Sequence, residues 1–128
     1  VAAIEGSRVM QKKLPLISLS EQQLVDCDDD DNGCYGGTPE SAFYSLMRTH
    51  TGLESEKDYP YLSHSGPCTL KKSKEIGFVH TYHGVKNDDH AIMRAILEYG
   101  PYVFLSFVKL FFDTKNIKFD TNCFVFPS

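Results

Sequence analysis

The stretch that decides the fold is Leu24-Val25-Asp26-Cys27, the acidic run Asp28 to Asn32, and Gly33-Cys34-Tyr35-Gly36-Gly37-Thr38-Pro39. Two cysteines flank the acidic run, and a glycine pair follows closely on the second. Paired glycines leave the backbone bare, so another chain can lie against it. Cross-linked cysteines can pin such a backbone in one shape. A loop of this kind can bind an extended peptide through main-chain hydrogen bonds.

Both flanks of this loop carry helix signals. On the N-terminal side, Ser20 and Gln23 have the spacing of a capping box, in which each side chain satisfies an orphan N–H of the other. Leu24 and Val25 supply the buried side of a helix running to about Cys27. On the C-terminal side, Thr38 is a good N-cap and Pro39 a good first helical residue, while Glu40 suits the positive end of the helix dipole. Ala42, Phe43, Leu46 and Met47 then repeat at helical spacing and face a core, with Gly52 ending the helix.

Further out, residues 1 to 11 read as a helix with Val1, Ile4 and Arg8 on one side. Gly6 costs about 1 kcal/mol in a helix interior, which suggests close packing. Residues 53 to 75 are mostly irregular, and the lysines at 71, 72 and 74 read as a solvated face. Ile76 to Val85 reads as one strand or two short ones. Asn87 or Asp88 caps another helix, with Ala91, Ile92, Ala95, Ile96 and Tyr99 on one face and Gly100-Pro101 as its stop. Tyr102 to Val108 is a β-rich apolar run and a candidate core strand.

Composition narrows the classes of function. The 128 residues are enough for one domain with a real core. Hydrophobic content of 41% and charged content of 23% are ordinary for a globular protein. A net charge of −4 without a basic run argues against nucleic acid as a partner. No apolar stretch approaches the roughly 18 residues of a membrane span. The chain opens on Val1 inside an apolar segment, so the expectation is a piece of a longer protein.

The quoted motifs resemble those of the papain and cathepsin cysteine peptidases. SEQQLVDC followed by GCYGGTP carries the resemblance. Ala2-Ala3-Ile4-Glu5-Gly6 is similar to the later part of that family's central helix. Asp58-Tyr59-Pro60-Tyr61 with Gly66-Pro67-Cys68 resembles its tyrosine-rich crossing and next cysteine. Tyr99-Gly100-Pro101 resembles the start of its second domain. The resemblance covers roughly residues 1 to 107, and Phe111 to Ser128 departs from the family.

The fold this implies is α+β, the papain-like two-domain architecture in truncated form. Residues 1–86 correspond to the helical domain without the start of its central helix. Residues 87–128 correspond to the beginning of the β-barrel domain. The implied activity is that of a cysteine endopeptidase acting on peptides or proteins without metal or cofactor, in a lysosomal or extracellular setting. Cystatin-like inhibitors are implied as further partners. Gly36 and Gly37 would line the cleft, with Thr38 and Pro39 as one wall of the pocket for the substrate residue second upstream of the scissile bond, and Leu105 as another. Cys27 would pair with Cys68. Cys34 would pair with an upstream cysteine that these residues lack, and Cys123 with one far downstream, leaving two orphans.

The chemistry itself is missing from these residues. Papain-like hydrolysis needs a thiolate nucleophile, a histidine that keeps it ionised and protonates the leaving amine, and an asparagine that orients the histidine. The family's C-G-[SA]-C-[WY] signature is absent. The resemblance puts the nucleophile roughly six residues before Val1 and the histidine at or just past Ser128. No catalytic residue is therefore assigned. His90 sits in an Asp-His-Ala tripeptide like that around the family's histidine, but it opens a helix and reads as a helix N-terminal residue. His50, His64, His80 and His83 read as surface or strand residues. Asp28, Asp30, Asn32 and Gly33 match the first half of a calcium loop, but Pro39 stands where a bidentate glutamate is needed. A solvated acidic turn is the better reading, and no metal site is assigned.

Overall fold

The first helix, α1, spans Ala2–Lys12. It forms where Val1, Ile4 and Arg8 put one side inward. Ile4 is buried, and the Arg8 guanidinium donates to the Ile76 carbonyl at 2.7 Å. The helix stops at Lys13, whose φ of 54° takes the left-handed turn usually given to glycine. The computed structural model describes residues 1–100 and 103.

Helix α2 spans Glu21–Cys27, and Ser20 caps it by accepting the Gln23 N–H at 3.0 Å. Only half of the expected capping box forms. Gln23 does not return the bond. Its amide crosses instead to the Gly52 carbonyl at 3.0 Å and the Glu54 N–H at 2.7 Å. The buried side of α2 is accordingly polar: Gln22 and Gln23 are 0% and 2% exposed. Leu24, expected to dominate that face, packs partly buried against the core, and Val25 is half-buried.

Helix α3 spans Pro39–Arg48, with Thr38 accepting the Ser41 N–H at 3.1 Å. It ends at Arg48, not at Gly52, because the chain turns through His50 at φ 51°. Gly52 has another purpose. A Cβ there would lie 2.9 Å from the Phe78 ring. Helix α4 spans Asp89–Tyr99, capped by Asp88, which accepts the His90 N–H at 3.1 Å, and stopped by Gly100 at φ 98°. Its apolar face was expected to be core. No α4 residue is fully buried, and Leu97 is 81% exposed. It touches α1, where Gln11 donates to the Tyr99 carbonyl at 3.0 Å.

Ile4, Leu19, Leu46 and Leu53 form the buried apolar centre, with Val1, Leu24, Phe43 and Val79 packed around it. Two isolated antiparallel bridges, Leu19 to Ser55 and Leu53 to Gly77, tie the irregular segments across it. Gly77 is required there: a Cβ would lie 2.7 Å from Leu19 Cδ1. The strand expected over Ile76 to Val85 does not form. Gly77 exchanges both main-chain bonds with Leu53, but beyond it no described segment pairs with the chain. The candidate strand Tyr102 to Val108 lies, apart from Val103, outside the described residues.

Candidate functional site

The site is built on the C-terminal end of α2. Cys27 and Cys68 form a disulfide with Cα atoms 4.9 Å apart, closing a separation of 41 residues. By chain entropy such a crosslink stabilises the fold by about 4 kcal/mol. The intervening loop is also held by hydrogen bonds. Asp26 accepts the Gly66 N–H at 2.7 Å, the Gln22 amide at 2.8 Å and the Tyr59 hydroxyl at 2.9 Å. Gln22 also takes the Leu62 N–H and donates to the His64 carbonyl, both at 2.8 Å.

This loop braces the turn that carries the glycines. Gly33 turns at φ 54°, and a Cβ there would fit tightly between Ser65 Oγ at 3.0 Å and the Val25 carbonyl at 3.1 Å. The Ser65 hydroxyl meets the Cys34 sulfur at 3.4 Å. Cys34 is itself disulfide-bonded, which corrects the expectation that it lacks a partner. No described cysteine is free. The pairing expected for Cys123 lies outside the described residues, as does Leu105.

Past Cys34 the chain rises onto the surface. Tyr35 is 96% exposed, Gly36, Gly37 and Thr38 are exposed, and Pro39 is half-buried at the start of α3. The four described candidate residues thus form one continuous ledge. Gly36 adopts φ 106°, a conformation that favours glycine. Among the described residues no hydrogen bond engages the N–H or C=O of Gly37.

The acidic turn lies under this ledge and serves the chain's own groups. Asp28 accepts the Asp30 N–H at 3.0 Å. Asp30 pairs with Arg48 at 2.7 Å, and Asp31 accepts the Thr38 N–H at 3.2 Å. Burial pushes the Asp28 carboxyl up from the ordinary aspartate range. Among the described residues no group of three potential ligands is placed to hold a metal ion.

A cavity of about 720 Å³ lies elsewhere, between α1, α3, α4 and the segment 76–85. Of the ledge, only Pro39 reaches it. His83 lies on its wall, its ring 5.9 Å from that of Tyr99, and His64 turns onto the carbonyl of Leu62 in its own loop. His90 sits in the first turn of α4. Sequence reasoning missed Asp31 and Gln22, and gave Gln23 only a capping role. For the glutamines a signal existed: two adjacent amides where an amphipathic helix should show apolar side chains.

Comparison with known proteins agrees with this geometry. A family model described as papain family cysteine protease matches residues 1–116. A senescence-specific cysteine protease of Arabidopsis thaliana is 46% identical over 98 residues, covering 75% of this chain and 28% of that protein. Zingipain-1 of Zingiber officinale is 38% identical over 97 residues, covering 75% of this chain and 43% of its own length. The solved structure of digestive procathepsin L 3 from the larval midgut of Tenebrio molitor superposes with a TM-score of 0.68 at 31% identity. It covers 75% of this chain and 32% of that one. The chain therefore spans less than half the length of each of these relatives.

Proposed function

Since the chain belongs to the papain family of cysteine proteases, we propose that it is the substrate-ledge segment of a cysteine endopeptidase. One observation carries this reading: the exposed main chain of Gly37, free of hydrogen bonds to described residues, stands on a turn braced by the Cys27–Cys68 disulfide. An extended peptide laid along Gly36 and Gly37 gains main-chain hydrogen bonds there. Gly37 pairs with the substrate residue second upstream of the scissile bond. Thr38 and Pro39 form one wall of that residue's pocket, and Leu105 another. Residues 1–86 act as the helical domain and 87–128 as the opening of the barrel domain.

The cutting chemistry comes from outside these 128 residues. A cysteine thiolate attacks the carbonyl, a histidine protonates the leaving amine, and an asparagine orients the histidine. The chain alone does not hydrolyse peptides. The Cys27 and Cys68 sulfurs are in a disulfide, as is that of Cys34, so none is a nucleophile. A lysosomal or extracellular setting suits a disulfide-bonded fold. No helix among the described residues is long and apolar enough to cross a membrane. Peptide or protein substrates, and cystatin-like inhibitors, are the partners of the complete cleft in the parent enzyme.

The test is an assay of the purified chain on a fluorogenic dipeptide substrate with a thiol reductant. No turnover is expected. Turnover blocked by an epoxide-type cysteine inhibitor overturns the reading. The exposure of the ledge also favours a second one, a non-catalytic module that holds peptides or inhibitors without cutting. Heat released on titration with a cystatin-like inhibitor distinguishes it.

A further inference from the structure

We infer that Asp31 is a positioning residue that aims the Gly37 carbonyl at a bound peptide, a step that rests on the ledge reading above. Two bonds flank Gly37. The Asn32 N–H donates to the Gly36 carbonyl at 2.9 Å, and the Thr38 N–H donates to Asp31 Oδ1 at 3.2 Å. In a trans peptide the C=O and the following N–H point in opposite directions. Drawing the Gly36 carbonyl toward the turn therefore sends the Gly37 N–H away from it. Drawing the Thr38 N–H toward Asp31 likewise sends the Gly37 carbonyl away. Both groups of one residue are then turned outward, as pairing with one residue of an extended peptide requires.

The Asp31 side chain also lies flat against the Gly37 Cα, where an added Cβ would come within 2.7 Å of Asp31 Cβ and closer still to the carboxyl group. Gly37 does not have the positive φ of Gly36. Glycine is needed at 37 for space, and the space is taken by Asp31. The carboxylate sits beside the N-terminus of α3, whose dipole favours an anion. The second peptide plane is held by a side chain, the first by backbone. Only the second can be released by mutation.

The experiment follows the Gly37 amide by ¹⁵N NMR in the intact chain. The probes are acetyl-Ala-Leu-Ala-amide and its depsipeptide, in which the leucine N–H is replaced by an ester oxygen. The wild-type chain is expected to bind the amide about tenfold more tightly than the ester, the value of one hydrogen bond. Asp31→Ala is expected to reduce that preference to about twofold or less, and Asp31→Asn, which keeps the acceptor oxygen, to retain it. Without any ligand, Asp31→Ala should also speed hydrogen exchange at the Thr38 amide, and Asp31→Asn should not. An unchanged amide-to-ester preference in Asp31→Ala overturns this inference alone. No binding of either peptide by the wild-type chain overturns the ledge reading, and a wild-type chain that binds both equally shows that the Gly37 carbonyl is not used. Unchanged Thr38 exchange in Asp31→Ala removes the proposed role of Asp31 whatever the peptides do.

Discussion

Tyr59 donates its hydroxyl proton to Asp26 at 2.9 Å, and the same oxygen accepts the Thr69 N–H at 3.2 Å. Tyr59 is 6% exposed, and both bonds are partly buried. The phenol thus couples helix α2 to the loop that ends at Cys68. Tyr59→Phe removes the hydroxyl and leaves an acceptor and a donor under-satisfied. Hydrogen bonds to charged groups contribute about 1.5–3 kcal/mol. Urea unfolding should show a loss of about 2 kcal/mol with the disulfide intact. A change within experimental error would mean that the hydroxyl adds nothing to the hold of the disulfide and of the Asp26 and Gln22 bonds to the loop.

Gln23 presents a second case of buried polar side-chain bonding. Gln23→Leu keeps the volume but strands the Gly52 carbonyl and the Glu54 N–H. Each unsatisfied buried group costs about 1–3 kcal/mol, so a loss of about 2–5 kcal/mol is expected. Hydropathy alone argues the opposite, that a buried leucine should stabilise α2. Equilibrium unfolding of the two proteins decides between them, and a variant as stable as the parent removes the clamp.

These side chains show where the sequence was readable. The caps at Ser20, Thr38 and Asp88 are local, because each acts on an N–H two or three residues on, and their residue types announce them. Helix α3's buried face, with Leu46 at its centre, followed from periodicity. Gln23 read as the second half of a capping box because that is the local use of its amide. Its actual partners are about 30 residues away, and no local rule reports them. Gly52 read as a helix stop for the same reason. Its cause is Phe78, which only the folded chain brings near. Along the expected strand Ile76 to Val85, pairing stops at Gly77 because no other described segment lies beside it, and pairing needs a neighbour as well as a β-rich sequence.

The ledge divides the same way. Its glycines were visible as a motif, and their exposure on a braced turn is now on the structure. The acidic run was read as solvated. Asp29 and Asp30 are indeed exposed, and Asp28, Asp30 and Asp31 in addition hold main-chain groups or Arg48 through exposed bonds. Aspartates in a turn look the same in sequence whether they face water or the turn's own amides.

Gly52 and Phe78 give a test of packing by paired substitution. Gly52→Ala places a methyl 2.9 Å from the Phe78 ring, and overpacking of this kind costs about 1–3 kcal/mol. Phe78 is 42% exposed, so the ring can swing outward and the lower end is expected. Phe78→Ala loses apolar contact but opens the space. The double variant should therefore be more stable than the sum of the two single losses predicts. Additive losses would mean that the methyl is accommodated by a backbone shift and not by the ring.

Two aspartates should respond to acid in opposite directions. The Ser55 hydroxyl, at 2.7 Å, and the Lys74 ammonium, at 3.1 Å, hold the Asp58 carboxyl below the ordinary range. A depressed folded value gives stability that is present above the unfolded pKa of about 3.9 and lost as pH falls through the folded value. Asp58→Asn should lower the melting temperature at pH 7, and the deficit should close in strong acid. Burial raises the Asp28 carboxyl instead, outweighing the opposing effects of the Ser45 hydroxyl and the Asp30 N–H, and its Oδ2 is buried with no well-formed hydrogen bond among the described residues. A raised folded value is a penalty at neutral pH, relieved as pH falls through that value and gone below the unfolded one. Asp28→Asn keeps an oxygen for the Asp30 N–H and removes the charge. It should raise the melting temperature at pH 7, with the gain shrinking to nothing below about pH 3.9. Melting curves of the three proteins from pH 3 to pH 8 provide the check. An Asp28→Asn variant less stable than the parent at pH 7, or a gap that does not change with pH, would show that the buried carboxylate is compensated by its neighbours.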